Sequence, residues 1–128
     1  MVEATVRDVM TAIRVSCPPA TSLRVAAAAM ASAGVGALVV TGERPGVLSE
    51  RDLLGPIAEG LDLDSEPIGG HLRADRPSAT PAETLLAVAE RMTAQNVRHV
   101  LVVEAGEAVG MLSMRDVVRV IGKAAGPG

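Results

Sequence analysis

The chain has 128 residues, 48% of them hydrophobic, and a net charge of −3; it suits one compact domain with a full-sized core and excludes a global attraction to nucleic acid or acidic membranes. It contains no Phe, Tyr or Trp, so its core is packed from Val, Leu, Ile, Ala and Met, and a bound base would lie between aliphatic side chains rather than on rings. Cys17 is the single cysteine, which excludes an internal disulfide and fits a reducing compartment.

In chain order, Thr5 to Met10 reads as a short leading helix, with Val6, Val9 and Met10 spaced for one face. Ile13 to Cys17 alternates like a short strand that Pro18-Pro19 stops. Thr21-Ser22 caps a helix running through Leu23, Ala26, Ala27 and Met30 to Gly34. Ala37 to Val40 is a buried strand, Thr41 to Pro45 a turn, Gly46 to Leu48 the hairpin partner, and Glu50 to Glu59 a closing helix.

Gly60 to Pro67 is acidic, broken by Gly and Pro, and reads as a linker. Beyond it the order starts again. Val6 to Ile68, Met10 to Leu72, Pro19 to Pro81, Leu23 to Leu85, Met30 to Met92 and Val40 to Val102 each differ by 62 positions, whereas Gly46 to Gly110 and Asp52 to Asp116 differ by 64. The extra two residues fall in the hairpin, where Glu104 to Ala108 is expected to form a longer loop than Thr41 to Pro45. Thr80, Pro81 and Glu83 predict a capping box at the start of the second repeat's main helix, with Val88, Ala89 and Met92 on its buried face. The boundaries are repeat one at 5–59, linker at 60–67 and repeat two at 68–124.

The strongest internal match is Gly46-Val47-Leu48-Ser49-Glu50-Arg51-Asp52 against Gly110-Met111-Leu112-Ser113-Met114-Arg115-Asp116. Each copy places a hydroxyl and an Asp three residues apart where a strand runs into a helix. Free backbone N–H groups gather at such a start, which suits it to an anion or a sugar hydroxyl. The carboxylates of Asp52 and Asp116 could each accept two hydrogen bonds from a ribose diol, or they could simply cap their helices. Ser49 and Ser113 carry the same two readings, whereas Arg51 and Arg115, each preceding the Asp, either contact a ligand or are solvated surface charges.

The repeated pattern of glycine, two aliphatics, a hydroxyl, two variable residues and Asp resembles the ligand motif of the cystathionine-beta-synthase (CBS) domain family, from about Thr5 to Lys123. The resemblance implies a tandem CBS pair, or Bateman module. Its fold is α/β (α+β), each repeat ordered strand, helix, strand, strand, helix, and the two packed with pseudo-twofold symmetry. It implies a nucleotide cleft that mixes both repeats: Ser113, Arg115 and Asp116 facing Thr21 and Ala26, with the basic pair Arg98-His99 placed as the family's phosphate-contacting pair. Arginine suits bidentate contact with phosphate. The repeat-one counterpart of that pair is Gly36-Ala37, without charge. The opposite cleft would set Ser49, Arg51 and Asp52 against Glu83 and Val88, a carboxylate and added bulk, so one competent site around Asp116 and one degenerate site around Asp52 are expected.

The implied function is that of a non-catalytic sensor binding AMP, ADP, ATP or S-adenosylmethionine, with no cofactor, relaying a rearrangement to an unknown effector protein and assembling as a homodimer. The alternative is a ligand-free structural or protein-interaction dimer whose motifs serve as helix caps. His71, His99 and Cys17 lack the close spacing of a zinc site, and nothing resembles a nucleophile elbow or a phosphate-binding loop. The scattered Lys and Arg residues disfavour nucleic acid. The start Met1-Val2-Glu3-Ala4 does not look like a signal peptide, and no apolar run nears the roughly 20 residues of a bilayer span, so a cytoplasmic location is expected.

Overall fold

The computed structural model describes residues 3–124. After α1 (Val6–Val9), the first copy runs through β1 (Ser16–Cys17), α2 (Leu23–Ala33), β2 (Ala37–Val40), β3 (Gly46–Ser49), a 3-10 turn (Glu50–Leu53) and α3 (Leu54–Glu59). A second 3-10 turn (Ile68–His71) leads the second copy: β4 (Ser78–Ala79), α4 (Leu85–Gln95), β5 (His99–Glu104), β6 (Glu107–Ser113) and α5 (Met114–Ala124). In each copy the short first strand pairs parallel to the middle strand, and the third closes an antiparallel hairpin on it. The chain is thus mixed α/β, with two three-stranded sheets, as its sequence predicts.

Local chemistry sets most boundaries. The Ser22 hydroxyl caps α2 by accepting from the Val25 amide at 3.2 Å, and Gly34 ends the helix at φ 67°, a left-handed conformation that costs glycine no Cβ clash. Leu23, Ala26 and Met30 form its buried stripe, at helical spacing.

Three expectations fail for identifiable reasons. The Thr80–Glu83 pair forms, with the Thr80 amide donating to Glu83 Oε1 at 2.9 Å, but it closes a turn ahead of α4 instead of capping it. The Glu83 and Pro81 carbonyls accept from the amides of Val6 and Arg7, at 2.9 and 3.0 Å. The helix therefore starts at Leu85, and Thr84 caps it through the Ala87 amide at 3.3 Å. The closing helix of copy one is split because Pro56 has no amide hydrogen and its ring crowds the carbonyl four residues earlier, so the first turn winds as 3-10; α5 carries no proline and is α-helical throughout. The two extra residues of the second hairpin lengthen its strands and leave a shorter loop. Val103 pairs with Ala108 and Glu104 with Glu107 across a turn of only Ala105 and Gly106, at φ 53° and 81°. Two positive φ values match the twist of the flanking strands, and the register shift after Val102 absorbs the odd residue.

Two compact units result, and they cut across the sequence repeats. One consists of the N-terminal residues through Ala12 with the chain from Asp75 onward; the other is Ile13–Ala74. Val6 is wholly buried in a core with Ala79, Leu85, Val88, Met92, Val100 and Leu112, while Ile68 is wholly buried with Leu23, Ala26, Met30, Leu38 and Leu48. Each copy's core is completed by the segment that leads the other. The hydrogen bonds match at the 62-residue offset: Val6 N to Glu83 O and Ile68 N to Thr21 O, Arg7 N to Pro81 O and Gly69 N to Pro19 O, Leu85 N to Ala4 O and Leu23 N to Glu66 O, all 2.9–3.0 Å.

Candidate functional site

The two glycines that begin the repeated motif are fixed by packing. A Cβ on Gly110 would lie 3.0 Å from both Met10 Sδ and the Thr11 carbonyl oxygen, and one on Gly46 would lie 3.1 Å from Leu72 Cδ1. Met10 and Leu72 are themselves 62 positions apart. In both units the leading segment thus passes over the hairpin so closely that a side chain has no room.

The Ser and Asp of each motif bond to one another at the strand-to-helix junction, in two different ways. The Ser49 amide and hydroxyl both donate to Asp52 Oδ2, at 2.8 and 3.0 Å, so Asp52 acts as the reciprocal partner of a capping box. The Ser113 hydroxyl donates to Asp116 Oδ2 at 2.8 Å and accepts from the Asp116 amide at 3.1 Å. Asp116 Oδ1 lies 3.7 Å from Arg119 Nη1, and the carboxylate side chain is 20% exposed. Its acceptor capacity exceeds what the Ser113 hydroxyl takes, which suits it to donors from a ligand. Asp52 is half-buried as well, and Arg51 and Arg115 are both exposed on the first turns of their helices.

The basic pair lies beside Ser113. His99 is the cross-strand partner of Ser113, and the Arg98 carbonyl accepts from the Met114 amide at 2.7 Å. Arg98, His99, Ser113, Arg115 and Asp116 thus gather at one end of the β5–β6 hairpin. The equivalent rung in the other unit, Ala37 opposite Ser49, carries no basic side chain. Sequence reasoning missed Arg76, whose Nη1 donates to the His99 carbonyl at 3.2 Å. The signal was present: Arg76 and Arg14 are related by the 62-residue offset, but a charge next to a proline reads as a loop residue.

Thr21 and Ala26 belong to the other unit. Thr21 is half-buried and its carbonyl is taken by Ile68, while Ala26 is wholly buried in the core. Glu83 and Val88, the residues expected to face Asp52, lie in the unit that holds α4. Val88 is wholly buried in its own core. Glu83 forms an ion pair with Arg91, whose Nη1 also donates to the Ser78 carbonyl at 2.8 Å. The Arg91 guanidinium holds the Glu83 carboxyl below the usual range, and Glu83 in turn raises Arg91. A charge so paired is a weak source of repulsion. His71 bonds to Glu66 Oε1 at 3.0 Å. Among the described residues no three His, Cys, Asp or Glu side chains cluster as metal ligands, and no helix is long and apolar enough to cross a membrane.

A family model described as the CBS domain matches the chain twice, at residues 6–59 and 70–123. The mitochondrial CBS domain-containing protein CBSX3 of Arabidopsis thaliana is 33% identical over 100 residues, 72% of this chain and 48% of that protein; the chain therefore spans about half the length of this curated relative. A CBS domain protein from Pyrobaculum aerophilum, solved as a complex with AMP, is 34% identical with a TM-score of 0.78, the match covering 88% of each chain. A CBS domain pair solved with 5'-methylthioadenosine and S-adenosyl-L-methionine shares the fold at TM-score 0.85 and 20% identity, over 96% of this chain and 99% of that one.

Proposed function

The chain belongs to the CBS domain family, with two copies in tandem, and on that footing we propose that it is a non-catalytic sensor of an adenosine-containing ligand. The observation that carries this reading is the grouping of Ser113, Asp116, Arg98 and His99 at one end of a single hairpin, with His99 directly across from Ser113. A carboxylate with spare acceptor capacity suits a ribose diol, and an adjacent Arg-His pair suits a phosphate. The relative solved with AMP supports an adenine nucleotide. We place AMP first, with ADP, ATP and S-adenosylmethionine as the other candidates. Arg115 extends the basic surface, and Thr21 and Ala26 join the set through the family resemblance. Ser49, Arg51 and Asp52 form the degenerate counterpart, since their rung lacks the basic pair.

Binding shifts the equilibrium between arrangements of the chain or of its homodimer, by no more than the ligand's differential affinity for them. An effector protein reads the shift in trans, and we place this in the cytoplasm as part of the proposal; CBSX3 is described as mitochondrial.

The mutual bonding of Ser49 with Asp52 and of Ser113 with Asp116 favours a second reading, a ligand-free interaction module in which both carboxylates serve as caps. One experiment separates the two. The chain contains no Trp or Tyr, so adenine carried through purification stands out in the ultraviolet spectrum. Adenine absorbance released on denaturation, or heat evolved on titration with AMP, supports the sensor. A protein that is free of adenine and inert to all four candidates is the interaction module.

A further inference from the structure

The His99 carbonyl takes its hydrogen bond from a side chain instead of a neighbouring strand. Along a strand, successive carbonyls turn to opposite neighbours. That of Arg98 accepts from the Met114 amide, on the β6 side, at 2.7 Å. That of His99 therefore turns toward β4, which pairs parallel to β5 with Ser78 beside Leu101. The chain enters β4 through Pro77, which has no amide hydrogen to give. Arg76 supplies the donor, its Nη1 lying 3.2 Å from the His99 carbonyl oxygen. Arg76 Nε and His99 Nδ1 are both buried, so the two side chains are packed into the unit and not held out as solvated groups. The other copy is built differently at the 62-residue offset: Arg14 is exposed, Val15 keeps an amide hydrogen where Pro77 has none, and Gly36-Ala37 stands in place of Arg98-His99.

We propose that Arg76 is a positioning residue for the phosphate-binding pair: it braces the start of β5 through the His99 carbonyl and so holds Arg98 and His99 beside Ser113 and Asp116. This role rests on the sensor reading above. A strand start bonded on one side only is free to fray. Here two consecutive carbonyls are tied in opposite directions, Arg98 to β6 and His99 to Arg76, which fixes both peptide groups. His99 is paired across the hairpin with Ser113, and Ser113 bonds to Asp116. Movement of the strand start would separate the groups that suit a phosphate from the carboxylate that suits a ribose. Side chains held in place before the ligand arrives lose less freedom on binding it. The benefit falls on the phosphate, since the braced residues are the basic pair.

Arg76→Met keeps an unbranched apolar stem and removes the donor, whereas Arg76→Lys keeps a donor. Both variants and the wild type are titrated calorimetrically with AMP and with adenosine, which has no phosphate. Hydrogen exchange of the Met114 amide, bonded to the Arg98 carbonyl, reads the strand start without any ligand. In Arg76→Met, AMP is expected to bind about five- to tenfold more weakly, adenosine with unchanged affinity, and the Met114 amide to exchange faster. Arg76→Lys is expected to restore part of the AMP affinity and of the protection. Unchanged AMP affinity, or an equal loss for adenosine, overturns the role. Weaker AMP binding with unchanged Met114 exchange overturns the brace and makes Arg76 a direct phosphate contact. A wild-type chain inert to AMP overturns the sensor reading and with it the link to phosphate, while faster Met114 exchange in Arg76→Met leaves the brace standing as a structural one.

Discussion

Ser113 and Asp116 hold each other: the hydroxyl donates to Oδ2 at 2.8 Å and accepts from the aspartate amide at 3.1 Å. The bond fixes the carboxylate at the first turn of α5, and also gives Asp116 a structural duty separable from any ligand. Asp116→Asn keeps the side chain's shape and removes its charge. It is expected to weaken AMP binding about tenfold or more, roughly 1.4 kcal/mol, with a cost of about 1 kcal/mol or less in stability. Asp52→Asn is expected to leave AMP affinity unchanged. Calorimetric titration beside urea denaturation reads both quantities.

The motif glycines differ in what crowds them, and their alanine variants should differ accordingly. Gly110→Ala pushes a methyl group against the Thr11 backbone carbonyl as well as Met10, and that carbonyl is tied to the Met111 amide at 2.9 Å. A loss of about 1–3 kcal/mol is expected. Gly46→Ala meets only the end of the Leu72 side chain, which can turn aside, so its loss should stay below about 1 kcal/mol. Equal losses in denaturant titrations would show that the backbone carbonyl is not the obstacle.

The Glu83–Arg91 pair links stability to pH. The Arg91 hydrogen bond is the largest cause of the lowered Glu83 pKa, from an ordinary value of 4.5. A depressed carboxyl stabilises the fold above its unfolded pKa, and the gain is lost as pH falls through the folded value. With side chains 27% and 36% exposed, the pair contributes about 1 kcal/mol after screening. Glu83→Gln should therefore lower the melting temperature at neutral pH and flatten its decline below pH about 4.5. Parallel wild-type and variant curves across that range would remove the pair from the acid response.

Ala105 holds φ 53° in the second hairpin turn, a conformation disfavoured for a residue with a Cβ. Followed by Gly106, it is the position that Asn fills best in a two-residue turn. Ala105→Asn is expected to stabilise the unit by roughly 0.5–1 kcal/mol, measured as a rise in denaturation midpoint at unchanged slope.

Periodicity, caps and the 62- and 64-residue offsets determined the repeated element order, the buried stripes of α2 and α4, and the place of the Ser-x-x-Asp motif at a strand-to-helix junction. These are local properties, carried by residues within one or two turns of each other. Tertiary structure decided which pieces fold together. Nothing near Val6 or Ile68 says that each completes the core of the opposite copy, since that choice depends on apolar faces far apart in sequence. The same distant contacts moved the start of α4, because the Pro81 and Glu83 carbonyls were claimed by Arg7 and Val6. They also brought Arg76 to the His99 carbonyl and gave Glu83 a partner in Arg91. A sequence reports which side chains are charged; the packing around them decides whether that charge is answered.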